Sequence, residues 1–299
     1  MLPLALLAGF LGAGKTTFLT AYARRAAGRR LVFLVNEFAQ TDVDTPLLSG
    51  CGEDVIGISG GSIFCRCKVT DFIRELGGLA QRFPHAEGVV VEASGMADPS
   101  AARSLLDESG LDRAFRLTGT VTLVDPGTLP KVLDTLPAAE RQVAAADVVV
   151  VSKSDVHAET AVAACEALVR GINPTARLLR AVRGACDLDP LTLGAGRWVD
   201  GAVAACATPL LVPIEVHCQG QVDAARLGTA LAALGNGLHR AKGFLRTPSG
   251  WVFLDWAAGR LELTPDRAGP PGLALIVSPT SAGAASVLAA AVAHGDFAP

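Results

Sequence analysis

The residues from Gly9 to Thr16 have the types and the spacing of a loop that binds phosphate. They read Gly-Phe-Leu-Gly-Ala-Gly-Lys-Thr, which matches the pattern of glycine, any four residues, glycine, lysine and threonine. Glycines there let backbone N–H groups turn toward phosphate oxygens, and the helix that follows presents its positive end to the same anion. Lys15 would bind the outer phosphates and the Thr16 hydroxyl would bind Mg²⁺. We therefore expect a nucleoside triphosphate to be held by Gly9, Gly12, Ala13, Gly14, Lys15, Thr16 and Thr17.

A carboxylate, Glu92, directly follows the apolar run Gly88–Val91. In phosphate-loop proteins an acid at the end of such a strand contacts Mg²⁺ or one of its waters. Gly95, three residues later, gives the backbone freedom to respond to the outermost phosphate. We expect Thr16 and Glu92 to hold Mg²⁺. The alternative is that Glu92 only caps the next helix or pairs with a lysine.

The segment Ser152-Lys153-Ser154-Asp155 follows a run of four valines and is close to the Asn-Lys-x-Asp element of GTP-binding proteins. In that element the carboxylate accepts hydrogen bonds from the N1–H and the 2-amino group of guanine, a pair of donors that adenine lacks. Asp155 is therefore expected to select guanine, with the stem of Lys153 along the base. Ser152 stands in place of the usual Asn, which leaves the strictness of selection over ATP open. A plain surface loop is the alternative.

Cys65 and Cys67 place two thiols one residue apart, each followed by a basic residue. Neighbouring positive charge favours the thiolate, which binds a borderline cation such as zinc and also takes part in redox chemistry. A closed zinc site needs four ligands, so others would come from Cys51, His85, water or a partner protein. The alternative is a pair of small, partly buried apolar side chains.

The elements that would position these groups alternate along the first two thirds of the chain. Apolar runs predict the strands Leu4–Ala8, Leu31–Val35, Gly88–Val91, Thr120–Val124, Val148–Val151 and Arg177–Val182. Residues at helical spacing between them predict the helices Thr16–Ala27 and Val69–Leu79. This alternation predicts an α/β domain with a doubly wound, mostly parallel sheet, of the P-loop NTPase type, whose ligands bind outside the carboxyl ends of the strands.

A change of pattern near residue 205 predicts a second domain. Beyond it, strand-like runs occur at Leu210–Val216, Gly250–Asp255, Leu261–Leu263 and Ala274–Val277. Helical runs occur at Val222–Leu234 and Ser281–Ala293. The length of 299 residues fits two domains at about 150 residues each. We expect a nucleotide-binding domain at residues 1–204 and a smaller C-terminal α+β domain at residues 205–299.

Composition excludes some classes of partner. Lys and Arg total 26 against 29 Asp and Glu, and this net charge of -3 gives no basic surface for nucleic acid. The most apolar stretches, such as Ala282–Ala293, are shorter than the roughly 20 residues needed to span a bilayer. Seven cysteines, an odd number outside any disulfide scaffold, and the lack of a signal-like start lead us to expect the cytoplasm.

Several segments in a fixed order carry a resemblance to a known family. They are Gly9–Thr17, Val35–Phe38, the segment with Cys65 and Cys67, Glu92–Pro99, Val124–Asp125, Gln142–Asp147, Ser152–Asp155, His239–Phe244 and Gly250–Trp251. In these segments the chain resembles the CobW-type metallochaperone GTPases. The match spans most of residues 4–185, and the last two segments are similar to the smaller C-terminal domain of that family.

The resemblance implies a GTPase that binds a transition metal in its GTP·Mg²⁺ form and yields it to a client on hydrolysis. The client would be a metalloprotein or a cofactor-assembly enzyme, in zinc or cobalt homeostasis or cobalamin biosynthesis. The resemblance also implies that Lys15, Glu92 and Glu37 act in catalysis, with Glu37 in the first switch segment. The family signature Cys-x-Cys-Cys reads Cys65-Arg66-Cys67-Lys68 here, so two thiols remain for the metal. The metal, the client and the oligomeric state stay open.

Two other functions remain open. One is a small-molecule kinase that uses the same loop, against which the guanine-type element at Ser152–Asp155 argues. The other is a nucleotide-gated binding protein without metal cargo, which the missing third cysteine favours. If the chain is a GTPase, its intrinsic turnover is expected to be slow, because the sequence offers no arginine finger and no water-orienting glutamine at a defensible position.

Overall fold

The computed structural model describes residues 1–37, 54–59, 69–95, 97–134, 136–194, 212–218, 220–257, 259–265 and 269–298. The chain divides into two compact units; the first contains residues 1–36 and the described residues from 54 to 194, and the second contains those from 212 onward. The domain boundary predicted between residues 204 and 205 lies outside the described residues and stays a prediction. No helix within the described ranges is long and apolar enough to cross a membrane.

The first unit alternates strands and helices, as the apolar pattern predicts. Its strands are β1 (Leu2–Ala8), β2 (Leu31–Glu37), β3 (Asp54–Ser59), β4 (Gly88–Glu92), β5 (Phe115–Val124), β6 (Val148–Val151) and β7 (Arg177–Arg180). Its helices within the described ranges are α1 (Lys15–Arg25), α2 (Val69–Arg82), α3 (Ala102–Glu108), α4 (Leu129–Leu133), α5 (Pro137–Ala144) and α6 (Glu159–Ile172). Strand β3 escapes the sequence pattern because Asp54 and Gly57 interrupt a short apolar run.

The strands of the first unit form one sheet in the order β3-β2-β4-β1-β5-β6-β7. The pairs from β2 to β7 in that order are all parallel. Alternate residues of β1 face opposite sides of the sheet, so Ala5 and Leu7 join a core with α1, while Leu4 and Leu6 join a core with α2 and α3. Apolar cores on both faces confirm the predicted doubly wound α/β class, and they leave the carboxyl edge of the sheet for polar residues.

In its described residues, the second unit is an antiparallel sheet with two α-helices. Its strands are β8 (Val212–His217), β9 (Leu238–Thr247), β10 (Gly250–Ala257), β11 (Arg260–Pro265) and β12 (Gly272–Val277), and its helices within the described ranges are α7 (Ala224–Ala233) and α8 (Ala282–Ala293). The strand order is β11-β10-β9-β12-β8, with antiparallel pairs throughout. Leu227 of α7, Ala285 of α8 and Leu275 of β12 share one core, which confirms a smaller α+β unit.

Strand β9 is absent from the sequence-based predictions because its apolar and polar residues do not alternate regularly. Its apolar residues Ala241 and Leu245 join the core with the helices. Residues such as Arg240 and Lys242 alternate with them and therefore lie on the other face. There Arg240 forms an ion pair with Asp255 of β10, with 2.7 Å between Nη2 and Oδ2. Phe244 lies on the same face as Arg240 and Lys242 and packs against Phe253 of β10, so this face is partly apolar.

Candidate nucleotide-binding site

The glycine-rich loop between β1 and α1 has a backbone that only glycine adopts readily. The φ angles of Gly9, Gly12 and Gly14 are 139°, 80° and 89°, in the left-handed region that L side chains rarely enter. A Cβ atom at Gly9 would also lie 2.5 Å from the carbonyl oxygen of Leu123 on β5. Gly14 is the N-cap of α1, so the loop delivers the chain directly to the positive end of a helix. This arrangement suits a bound anion.

Lys15 and Glu92 bring opposite charges together beside this loop. The exposed fractions are 8% for Lys15 and 4% for Glu92. The Nζ atom of Lys15 donates a hydrogen bond to the carbonyl oxygen of Gly9 at 2.9 Å and lies 3.9 Å from Oε1 of Glu92. Glu92 ends β4 and is paired with Leu7 of β1, which places its carboxylate next to the loop. The structure therefore brings together two of the three residues expected to act in catalysis.

The segment after Glu92 is packed tightly against the loop. A Cβ atom at Gly95 would lie 2.9 Å from the backbone nitrogen of Leu11, so only glycine fits there without a shift. Gln142, a buried residue of α5, donates from Nε2 to the carbonyl oxygens of Gly95 and Ala97 at 3.2 and 2.8 Å. Gln142 thus fixes the position of this segment, a role that sequence reasoning did not assign although Gln142 belongs to the family-like segments.

A buried hydroxyl beside Glu92 supports a ligand at this place. Ser94 is 3% exposed, and its Oγ has no hydrogen-bond partner among the described residues. A buried hydroxyl without a partner costs about 1–3 kcal/mol, so native structures rarely keep one without a reason. Phosphate oxygens or ordered water would satisfy it. The carboxylate of Glu92 and the hydroxyl of Thr16 are oxygen ligands of the type that Mg²⁺ prefers, so the residues present fit that ion.

The loop after β6 contains the predicted guanine-selecting residues. Ser152 is buried, and both its N–H and its hydroxyl donate to the carbonyl oxygen of Val124, at 2.8 and 3.1 Å. Ser154 donates from its hydroxyl to the carbonyl oxygen of Ala181 at 3.0 Å, whereas Asp155 is exposed. The two serines thus anchor the loop to β5 and to the segment after β7. Contact of Ser152, Lys153 and Asp155 with a nucleotide stays a prediction.

A buried carboxylate that the sequence analysis left without a role, Asp125, lies behind this loop. It directly follows β5, it is 3% exposed, and it is 2.9 Å from Nζ of Lys153 and 2.7 Å from Nε2 of His157. Burial would raise the pKa of the Asp125 carboxyl, but the Lys153 ammonium and the hydrogen bond from the N–H of Gly127 hold it below its ordinary value. The rule that points to Glu92, an acid at the end of an apolar strand, also points to Asp125.

Most of the remaining predicted residues lie outside the part of the chain that the structure describes. Glu37 ends β2, and its side chain lies outside the description, as do Cys51, Cys65 and Cys67. His85 is exposed before β4. Within the part of the chain that the structure describes, no group of three or more His, Cys, Asp or Glu residues could hold a metal ion. The cysteine site therefore stays a prediction.

Comparison with known proteins decides the family. The CobW/HypB/UreG nucleotide-binding domain matches residues 3–180, which is more than half of the 299 residues. The chain belongs to this family. The matched range contains the glycine-rich loop, Glu92, Asp125 and the loop with Asp155, so the geometry described above is that of a CobW/HypB/UreG nucleotide-binding domain.

Curated relatives of this CobW/HypB/UreG protein include zinc chaperones. The zinc chaperone CobW of a Sinorhizobium species is 32% identical over 130 residues, covering 42% of this chain and 36% of the relative. The zinc chaperone YjiA of Escherichia coli is 31% identical over 187 residues, covering 61% and 58%. The zinc-regulated GTPase metalloprotein activator 1 of Schizosaccharomyces pombe is 26% identical over 193 residues, covering 62% and 47%. In each case the matched part is less than two thirds of the relative.

Solved structures resemble the protein over nearly its whole length. The crystal structure of Zn(II)-bound YjiA GTPase from Escherichia coli has a TM-score of 0.51 and covers 96% of this chain and 98% of that chain. The sequence identity is 21%, so this likeness shows the fold alone.

Proposed function

We propose that this protein is a Mg²⁺-dependent GTPase that acts as a metallochaperone and passes zinc or cobalt to a client protein. The observation that carries the proposal is the glycine loop at Gly9, Gly12 and Gly14, with the buried charges of Lys15 and Glu92 beside it. Membership of the CobW/HypB/UreG family and relatives named zinc chaperones support the metal part. Those names favour zinc over cobalt, and the cytoplasm, where thiols stay reduced, is the proposed location.

The proposed hydrolysis depends on electrostatic stabilisation by Lys15, Thr16 and Glu92. The ammonium of Lys15 donates to the carbonyl oxygen of Gly9 in this structure, and the phosphate oxygens of GTP would take over that hydrogen bond. Glu92 would bind Mg²⁺ directly or through a water, and the Thr16 hydroxyl would be a second ligand of this ion. When bound, Mg²⁺ neutralises negative charge on the phosphates while the γ-phosphoryl group is transferred to water.

Gly95 is the proposed sensor of the γ-phosphate. Its close packing on Leu11 links the segment after Glu92 to the phosphate loop, and Gln142 holds its carbonyl from the other side. Loss of the γ-phosphate would therefore change the position of this segment. A difference of about 1.4 kcal/mol in the free energy of metal binding between the GTP-bound and GDP-bound states is enough to change metal affinity tenfold.

The metal cargo is assigned to Cys65 and Cys67, with the remaining ligands supplied by other residues, water or the client. Asp155 is assigned to guanine, which favours GTP hydrolysis over phosphoryl transfer from ATP to a small molecule. Without a client the turnover is expected to be slow, because no arginine finger is identified in the chain.

Equilibrium dialysis with Zn²⁺ and Co²⁺ tests this function. In the presence of Mg²⁺ and a non-hydrolysable GTP analogue, we expect at least tenfold tighter zinc binding than with GDP, since the γ-phosphate orders the switch segments. The double variant Cys65→Ser with Cys67→Ser should still bind the GTP analogue but lose this gain. The matched control is Cys186→Ser, at a half-buried free cysteine after β7. This variant should keep the tenfold gain in zinc affinity.

Two results would contradict the proposal. Equal zinc affinity with GDP and with the GTP analogue would mean that the protein binds nucleotide but carries no metal cargo. A preference for ATP over GTP, with a phosphorylated small molecule as product, would instead identify a kinase.

A further inference from the structure

Asp125 is a buried charge that the proposed hydrolysis does not use. It lies at the carboxyl end of β5, where it is 3% exposed. Three groups donate hydrogen bonds to it, Nζ of Lys153 at 2.9 Å, the N–H of Gly127 at 2.9 Å and Oγ1 of Thr128 at 3.5 Å, and Nε2 of His157 lies 2.7 Å from its Oδ1. Removing a carboxylate from water is unfavourable unless its partners compensate, so a carboxylate with this set of donors is a specific arrangement rather than a packing accident.

Two of the side chains that contact Asp125 lie on either side of Asp155. Lys153 precedes Asp155 by two residues and His157 follows it by two. One carboxylate, directly after the neighbouring strand β5, therefore contacts both ends of the short segment that carries Asp155. Asp155 itself is exposed, so its position depends on the residues that flank it.

The backbone of this segment is in a conformation that must be held by its surroundings. Lys153 has a φ of 53°, in the left-handed region that is unfavourable for residues with a Cβ atom. Such a conformation persists where neighbouring contacts determine it, and it is common at ligand-binding loops. The ion pair between Lys153 and Asp125 is one of those contacts, and the hydrogen bond from the hydroxyl of Ser154 to the carbonyl oxygen of Ala181 is another.

Gly127 provides an independent sign that the contact of His157 with Asp125 is built into the fold. A Cβ atom at Gly127 would lie 2.8 Å from Cε1 of the His157 ring. The φ of Gly127 is not in the left-handed region, so the backbone there would accept another residue. An alanine at this position would displace the imidazole from the space that it occupies beside Asp125.

We propose that Asp125 is a positioning residue for base selection: through Lys153 and His157 its carboxylate holds the Asp155 loop in the conformation that reads guanine. The inference rests on the proposed guanine contact of Asp155. A loop that is ordered before binding loses less freedom on binding, so Asp125 favours guanine nucleotides without touching them. Its removal should weaken guanine binding, while phosphate binding at Lys15 stays intact.

The test compares nucleotide affinities of the full chain by isothermal titration calorimetry. The variants are Asp125→Asn and Gly127→Ala, with Asp155→Asn as the reference and Asp189→Asn as the matched control. Asp189 is also a carboxylate with two side-chain donors, Tyr22 and Arg29, but none of its contacts reaches the Asp155 loop. The probes are GDP, ADP and inorganic triphosphate, each with Mg²⁺.

We expect Asp125→Asn to weaken GDP binding about tenfold and to leave the Kd values for ADP and triphosphate unchanged. Gly127→Ala should shift the ratio of ADP Kd to GDP Kd in the same direction by about threefold, because the added methyl group displaces only His157. The double variant Asp125→Asn with Asp155→Asn should bind GDP no more weakly than Asp155→Asn, since Asp125 acts through Asp155. Asp189→Asn should keep the wild-type ratio.

Three results would overturn the inference. In the first, the ratio of ADP Kd to GDP Kd is unchanged in Asp125→Asn and Gly127→Ala but falls strongly in Asp155→Asn. This result would mean that the loop holds its position without Asp125. An equal loss for GDP, ADP and triphosphate would mean that Asp125 only stabilises the fold. An unchanged ratio in Asp155→Asn would refute the guanine site itself, and the positioning role would fail with it.

Discussion

Lys15 and Glu92 form the charged centre of the candidate site. Both side chains are almost fully buried, and their charged atoms are 3.9 Å apart. At this separation they offset part of each other's cost of leaving water, without a direct hydrogen bond between them. Lys15 could be identified from the loop pattern and Glu92 from its place after an apolar strand. Gln142 and Asp125 could not be given roles, because their partners Gly95 and Lys153 are 47 and 28 residues away along the chain.

Glu92→Gln tests the role of the carboxylate. The amide keeps the size of the side chain but removes the charge, so GTP should still bind within a fewfold of wild type. Hydrolysis should fall about 10²- to 10³-fold, the range for loss of one electrostatic contact in a transition state. Single-turnover GTP hydrolysis measures the effect, with Glu108→Gln, on an exposed position of α3, as the control. A turnover rate equal to wild type would exclude Glu92 from catalysis.

Ser94→Ala tests whether the hydroxyl serves a ligand. Because Oγ has no partner among the described residues, its removal should not lower the free energy of unfolding of the nucleotide-free protein. Ser109→Ala is the comparison, since that hydroxyl donates to the carbonyl oxygen of Leu105 at 2.7 Å and its loss should cost about 0.5–1.5 kcal/mol. Urea denaturation measures both. A larger loss for Ser94→Ala than for Ser109→Ala would mean that Ser94 stabilises the fold itself.

At the scale of elements, α1 is tied to the segment after β7 by a polar cluster. Tyr22 of α1 donates to Oδ1 of Asp189 at 2.7 Å, and Arg29 donates to Oδ2 at 2.8 Å. This cluster fixes the helix that begins at the phosphate loop. Periodicity predicted α1, but nothing in the sequence connects Tyr22 with Asp189, 167 residues away. Strand β9 escaped prediction for a local reason, because its apolar residues Ala241, Phe244 and Leu245 do not alternate regularly with polar ones.

The Asp189 cluster predicts a pH dependence of stability. Burial would raise the pKa of the Asp189 carboxyl, but the hydrogen bonds from Tyr22, Leu191 and Arg29 hold it below its ordinary value. A lowered pKa means that the contribution is present above the unfolded pKa of about 3.9 and is lost as the pH falls below it. Between pH 5 and 3 the free energy of unfolding of Asp189→Asn should therefore fall less steeply than that of wild type. Since Asp189 is partly exposed, the difference should be at most about 1 kcal/mol.

Urea denaturation of both proteins at several pH values within this range measures that difference. Identical slopes for wild type and Asp189→Asn would contradict the role given to the cluster.

At the scale of the whole molecule, the apolar pattern predicted both kinds of unit, because buried parallel strands and half-buried antiparallel strands have different periodicities. The family match at residues 3–180 covers most of the first unit, and the fold likeness extends over the second. The complete set of metal ligands could not be predicted from the sequence in the same way. Two cysteines are half of a closed zinc site, and ligands that come from distant residues or from a client leave no local pattern.

The most direct test of the account is a calorimetric titration of the full chain with a non-hydrolysable GTP analogue and Mg²⁺. We expect saturable binding of one nucleotide per chain and at least a hundredfold weaker binding by Lys15→Ala, because the ammonium that meets the phosphates is lost. Lys131→Ala, at an exposed position of α4, should bind as wild type does. No heat of binding by the wild-type protein, or equal affinity of the Lys15→Ala variant, would contradict it.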